Sequence, residues 1–171
     1  FNVKETDLAG NTSSATSNFA VTGDTTPPTV SSVAITGASG DQNNFVNAGD
    51  VVSVTVNFSE SVNVDNASGT TLTLNIGGVS KVARNTSGSG SSALVFQYTI
   101  QAGETDSDGI SIGANALALN GGTIRDPTGN DATLTHNAVS ANSSYKVDTT
   151  VPTVSSFTID DSLLLVGETA D

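Results

Sequence analysis

Ala93-Leu94-Val95-Phe96-Gln97-Tyr98-Thr99-Ile100 carries a large apolar or aromatic side chain at every second position, at Leu94, Phe96, Tyr98 and Ile100. Period-two alternation marks a half-buried strand, because successive side chains of an extended backbone point to opposite faces. Working outward, residues 51–59 repeat the pattern with Val52, Val54, Val56 and Phe58 on one face, and residues 71–76 continue it with Leu72, Leu74 and Ile76. Short alternating stretches at 29–36, 80–85, 109–119 and 132–147 bring the predicted strands to seven. Loops rich in Gly, Asn, Ser and Asp separate them, at 37–50, 61–69, 101–108 and 121–131, with Ser87-Gly88-Ser89-Gly90-Ser91-Ser92 as a tight turn. No window shows a helical period. These spacings predict an all-β chain, an immunoglobulin-like antiparallel β-sandwich with Greek-key connections, lacking the Cys and Trp of antibody domains.

A second pattern sets the organisation. Asp24-Thr25-Thr26-Pro27-Pro28-Thr29-Val30-Ser31-Ser32 returns as Asp148-Thr149-Thr150-Val151-Pro152-Thr153-Val154-Ser155-Ser156, with Pro28 and Pro152 in register. Each copy opens an apolar alternation, Val30, Val33 and Ile35 in the first and Val154, Phe157 and Ile159 in the second. Self-similarity at a fixed period is the mark of a tandem array. Residues 1–23 are therefore expected to be the end of one module, 24–147 a complete one and 148–171 the start of a third. Phe1-Asn2-Val3 and Asn18-Phe19-Ala20-Val21 read as the last strands of the preceding module, and Phe1 in mid-strand fits a piece of something longer. Between them Asp7-Leu8-Ala9-Gly10-Asn11 shares its D-x-x-G-N pattern with Asp126-Pro127-Thr128-Gly129-Asn130, so that turn repeats as well.

Composition limits the chemistry. The 171 residues contain no Cys, Met or Trp, which removes disulfides and thiol catalysis. No apolar run approaches the length of a membrane-spanning helix, and Phe1 opens no leader-like segment. Seventeen Asp and Glu against five Lys and Arg give a formal net charge of −12. Nucleic acid and anionic membrane surfaces are poor partners for such a chain, since both need cationic side chains. Divalent cations are the natural counter-charge.

Strand parity says where the carboxylates fall. Successive antiparallel strands alternate in direction, so the joint at Asp24 shares one end of the sandwich with the loops carrying Glu60, Asp65, Asp126 and Asp131. The opposite end holds Asp41, Asp50, Glu104, Asp106, Asp108 and Asp148. Clustered carboxylates repel one another unless protons are retained or a cation binds. Oxygen donors in loose loops, with His136 the only imidazole, select a hard ion, and Ca²⁺ fits best. The expectation is Ca²⁺ bridging consecutive modules, with Asp24, Glu60 and Asp126 facing the module before and Asp106, Asp108 and Asp148 facing the one after. Glu104-Thr105-Asp106-Ser107-Asp108-Gly109 imitates the first half of an EF-hand loop, but the closing position holds Asn115 rather than Glu.

Several motifs together carry a family resemblance. They are Asp24-Thr25-Thr26-Pro27-Pro28, Asn57-Phe58-Ser59-Glu60, Thr71-Leu72-Thr73-Leu74-Asn75-Ile76-Gly77-Gly78, the run from Tyr98 to Ile110, and Leu119-Asn120-Gly121-Gly122-Thr123-Ile124-Arg125-Asp126 with Gly129-Asn130. Across 24–147 the chain resembles the bacterial Ig-like repeats of very large secreted adhesins, many of them of the RTX type. The resemblance implies a non-catalytic extender of a biofilm or cell-surface adhesin, extracellular, stacked on neighbouring Ig-like modules of the same polypeptide and stiffened by Ca²⁺. It is also similar in logic to cadherin arrays. By position Asp106, Asp108 and Asp148 take the donating roles there, and Glu60 and Asp126 the receiving ones. The joint departs from the cadherin linker in having one Asp followed by Thr-Thr.

Other constellations carry less. A Ser-His-Asp triad would need His136, which falls in a predicted strand, and paired acids of glycosidase type are dispersed by parity to two ends. The alternatives to an extender are a sandwich that recognises glycan, ice or protein through a Thr-rich face, and a subunit of an extracellular filament that self-associates by stacking or strand exchange.

Overall fold

A computed structural model describes residues 3–14 and 23–158. The expected strand at 18–21, most of that at 1–3 and the end of that opened by Val154, Phe157 and Ile159 lie outside the described residues; over the described 151–158 no strand forms, and Val154 and Phe157 are exposed. Among those residues there is no helix, and ten strands account for the regular structure: β1 (Val30–Ala38), β2 (Phe45–Val46), β3 (Val51–Asp65), β4 (Thr71–Ile76), β5 (Val79–Ser87), β6 (Ser91–Thr99), β7 (Thr105–Asp106), β8 (Ser111–Ala118), β9 (Thr123–Arg125) and β10 (Lys146–Asp148). The chain is all-β, built from curled, largely antiparallel sheets around one core, a β-sandwich in outline.

The main sheet runs β1-β3-β6-β5-β4-β8, with β9 added to the far end of β3. β5 pairs with β4 along six positions but meets β6 only from Arg84 to Ser87. The sheet therefore turns over at β5 and lays β4 and β8 across from β3 and β6. Their facing side chains form the core, with Val52, Val54, Val56, Leu72, Leu74, Leu94, Phe96 and Ile112, joined by Ile110 just before β8, all but excluded from solvent. Every fully buried apolar side chain of this cluster comes from residues 35–147.

Three sequence expectations are corrected. The strand expected to stop at residue 59 continues to Asp65, because Asn63, Val64 and Asp65 pair with Arg125, Ile124 and Thr123 while Val62 is fully buried. The loops expected at 37–50, 61–69, 101–108 and 121–131 each contribute strand, as β2, the end of β3, β7 and β9. The strand expected over 132–147 forms only as β10. Ala132, Leu134 and His136 are half-buried in alternation, but the period breaks there, since the next half-buried apolar side chains are Val139 and Tyr145, five and eleven residues beyond Leu134. The segment instead touches the sheets through isolated bridges, Thr133 with Thr29 and Val139 with Ile112.

The small second sheet closes the opposite end of the sandwich. β10 lies between β2, to which it is parallel, and β7, to which it is antiparallel. Lys146 sits over the Phe45 ring at 5.4 Å from its centre. In the adjoining turn, Gly109 has φ +104° and no room for a Cβ, which would fall 2.1 Å from the Asn142 carbonyl oxygen. Only glycine fits there.

Candidate functional site

Asp24, Glu60 and Asp126 come together at the end of the sandwich where the chain enters the unit, each with a carboxylate oxygen within 4.8 Å of the others. Three elements deliver them. Asp24 precedes β1, Glu60 lies in β3 where its pairing with β6 breaks between Asn57 and Val62, and Asp126 follows β9.

Asp126 is the fixed member. Its Oδ1 accepts the backbone N–H groups of Thr128, Gly129 and Asn130 at 2.9, 2.6 and 2.8 Å and the Thr128 hydroxyl at 2.9 Å, and Oδ2 accepts the Asn130 amide at 2.7 Å. Burial alone would raise the pKa of this carboxyl. The donors from Asn130, Thr128 and Gly129 outweigh it and hold it at about 2. Asp7 makes the same turn with Ala9 and Asn11, and the Asn11 side chain and backbone pull its pKa down. The D-x-x-G-N pattern is therefore a cage of donors that favours the ionised form of one carboxylate.

Glu60 is the strained member. Desolvation, and then the charges of Asp24 and Asp126, push its carboxyl above the ordinary glutamate value. Asp24 is positioned through its main chain. Asn130 Nδ2 donates to the Asp24 carbonyl at 3.1 Å, the Thr128 hydroxyl reaches the same oxygen at 3.5 Å, and Asp24 Oδ1 accepts the Thr26 N–H at 2.9 Å. The donor set is all oxygen, one carboxylate is held ionised by its donors, and another is disfavoured as an anion by desolvation and by its neighbours' charges. A hard divalent cation would relieve that repulsion, and Ca²⁺ suits loop-borne carboxylates. Three carboxylates fall short of the six to eight oxygens that Ca²⁺ takes, so further ligands would come from water or from another module.

Asp106, Asp108 and Asp148 lie at the opposite end and line one cleft with Phe45 and Gly77. Asp106 is buried, and its two oxygens accept the backbone N–H groups of Gly77 and Gly109, each at 2.8 Å. It staples two turns together and faces inward, whereas Asp108 and Asp148 are exposed. Asp148 Oδ1 accepts the Thr150 N–H at 2.9 Å, the same local turn that Asp24 makes with Thr26.

Glu104 belongs to neither end as a free acid. It is buried, and it takes the Tyr98 hydroxyl at 2.5 Å, Lys81 Nζ at 2.7 Å and the Gln101 N–H at 2.9 Å. The apparent EF-hand half-loop is thus two inward staples and one exposed acid. Burial alone would raise the Glu104 pKa, but Lys81, Tyr98 and Gln101 together bring it below the ordinary value. A depressed folded-state pKa means stability that is complete above the unfolded-state value and lost as pH falls through the folded one. Glu104→Gln is expected to cost roughly 1–2 kcal/mol at neutral pH through the lost ion pair, and to flatten the acid limb of stability against pH, checked by urea unfolding between pH 7 and pH 3.

Some participants were not legible as such. Thr128 and Asn130 are donors hidden inside a turn motif, and Thr149, which bonds to Gly103 and Glu104, looked like linker. His136 is engaged structurally, with Nε2 accepting the Ala116 N–H at 2.9 Å and Nδ1 donating to the Asn137 carbonyl at 2.8 Å. No protein-family model, no curated protein and no solved structure matches this chain.

Proposed function

We propose that the chain is a segment of a non-catalytic extender, an Ig-like module stacked end to end with its neighbours in an extracellular bacterial adhesin of the RTX type, with Ca²⁺ bridging the joints. The observation that supports this reading is the convergence of the joint residue Asp24 with Glu60 and Asp126, which brings three oxygen-donor side chains, one of them from the linker, within reach of a single cation. The repeat of the linker at Asp148, with the same aspartate turn, extends the reading to the far end. There the exposed Asp108 and Asp148 are available to the next module, while Asp106 supports the loop that carries them.

Thermal unfolding in EDTA, in millimolar Ca²⁺ and in millimolar Mg²⁺ tests it. An ion that binds only the native state at a hundredfold excess over its Kd stabilises by about 2.7 kcal/mol, which for a unit of this size raises Tm by roughly 5–10 °C. That rise is expected in Ca²⁺ and not in Mg²⁺, together with a longer, straighter particle by small-angle scattering. Identical melting in all three conditions would remove calcium from the proposal.

A further inference from the structure

The Asp-Thr-Thr linker occurs twice, and each copy is held in a different way. At its first occurrence the unit that follows holds the aspartate, whose carbonyl accepts Asn130 Nδ2 at 3.1 Å. At its second occurrence the unit that precedes holds the threonine. Thr149 Oγ1 accepts the Gly103 N–H at 2.9 Å and donates to the Glu104 carbonyl at 3.0 Å, so both functions of the hydroxyl are used. The loop it grips is itself rigid, because the Glu104 side chain is fixed to Lys81, Tyr98 and Gln101. The two copies share one local hydrogen bond, with Asp24 accepting from Thr26 and Asp148 from Thr150, each at 2.9 Å. Both grips can therefore act on a single linker.

Superposing them through the repeat gives an arrangement that neither copy shows alone. In chain order the aspartate comes first, yet it is held by the downstream module. The threonine comes second, yet it is held by the upstream one. We propose that each joint is an interlock, in which the upstream loop at 101–104 and the downstream turn at 127–130 grip adjacent residues in crossed order and so lie face to face. Adjacent Cα atoms are about 3.8 Å apart, so the two loops meet within roughly 10 Å, which leaves no spacer between modules. The partner of each loop is the neighbouring module. This rests on the tandem-array reading and deepens it, but the threonine grip needs no ion.

The threonine grip is testable in the chain as it stands. Amide hydrogen exchange by NMR in EDTA is expected to show Gly103 protected, to lose that protection by about an order of magnitude or more in Thr149→Val, and to keep it in Thr149→Ser. Core amides such as those of Val54 and Phe96 serve as the control for folding. Equal protection in Thr149→Val, or protection that appears only with Ca²⁺, overturns the interlock. The crossed geometry is tested in a chain with residues 24–147 duplicated in register, since the fully buried core among the described residues lies inside that span. Nitroxide labels at Ala102→Cys of the upstream copy and Pro127→Cys of the downstream copy are expected to broaden each other's spectra, with or without Ca²⁺. Absence of broadening would overturn the face-to-face contact. A missing calcium effect on melting would count against the bridging ion while leaving both of these readouts informative.

Discussion

Glu60→Gln is expected to raise the melting temperature of the ion-free chain and, in the same variant, to remove most of the rise produced by Ca²⁺. The two effects have one cause. Glu60 is pushed up by desolvation and by the charges of Asp24 and Asp126, so the native state binds its proton more tightly than the unfolded chain does. Such a group stabilises the fold as pH falls from the folded-state pKa toward the unfolded one, and opposes it above that window. At neutral pH without an ion, the repulsion is fully present and a neutral amide relieves it. With an ion, the same amide replaces a charged ligand with a weaker one. Melting curves of wild type and variant in EDTA and in Ca²⁺ make a four-condition comparison. A variant less stable than wild type in EDTA would show that Glu60 is not under repulsion, and an unaltered calcium response would show that it is not a ligand.

Phe96→Ala is expected to produce the largest loss of stability, about 3–5 kcal/mol. Phe96 is fully buried in β6, paired with Val54 of β3 on one side and with Asn85 of β5 on the other. It lies near the place where the sheet turns over, between the two halves of the core. Typical domains are stable by only 5–15 kcal/mol, so the variant is expected to approach the unfolding threshold in EDTA. Its urea midpoint should fall with little change in slope, and Ca²⁺ should partly restore it by mass action. A loss below about 1 kcal/mol would mean that the core closes around the gap.

The central strands were legible because each has one buried and one wetter face. Leu94 and Phe96, or Val52 to Phe58, print that asymmetry directly into the sequence. The segment 132–145 was misread for the same reason in reverse. Its alternation at Ala132, Leu134 and His136 is real but ends there, and Val139 and Tyr145 touch the fold at separate points, which a local window cannot distinguish from a continuing strand. The extension of β3 to Asp65 depends on β9, nearly sixty residues away, and no local pattern announces such a partner. At the candidate site, strand parity sorted the acids by end, but it could not tell which of them point outward. Asp106 and Glu104 satisfy backbone and side-chain donors inside the fold, whereas Glu60 is desolvated and faces the charges of Asp24 and Asp126. That distinction lies in where neighbouring N–H groups are placed, which three-dimensional structure fixes and residue identity does not.

The parallel seating of β10 beside β2 bears on how the unit would respond to tension. The chain enters through the linker before β1 and leaves through β10, at opposite ends of the sandwich. Pulling those ends apart draws β10 along its own axis, past β2 and β7, and draws β1 along β3. Hydrogen bonds that lie across the direction of pull are loaded together rather than opened one after another. Under such tension the three residues of β10 would act as a clasp at one end, and the long β1–β3 ladder would carry the load along the core.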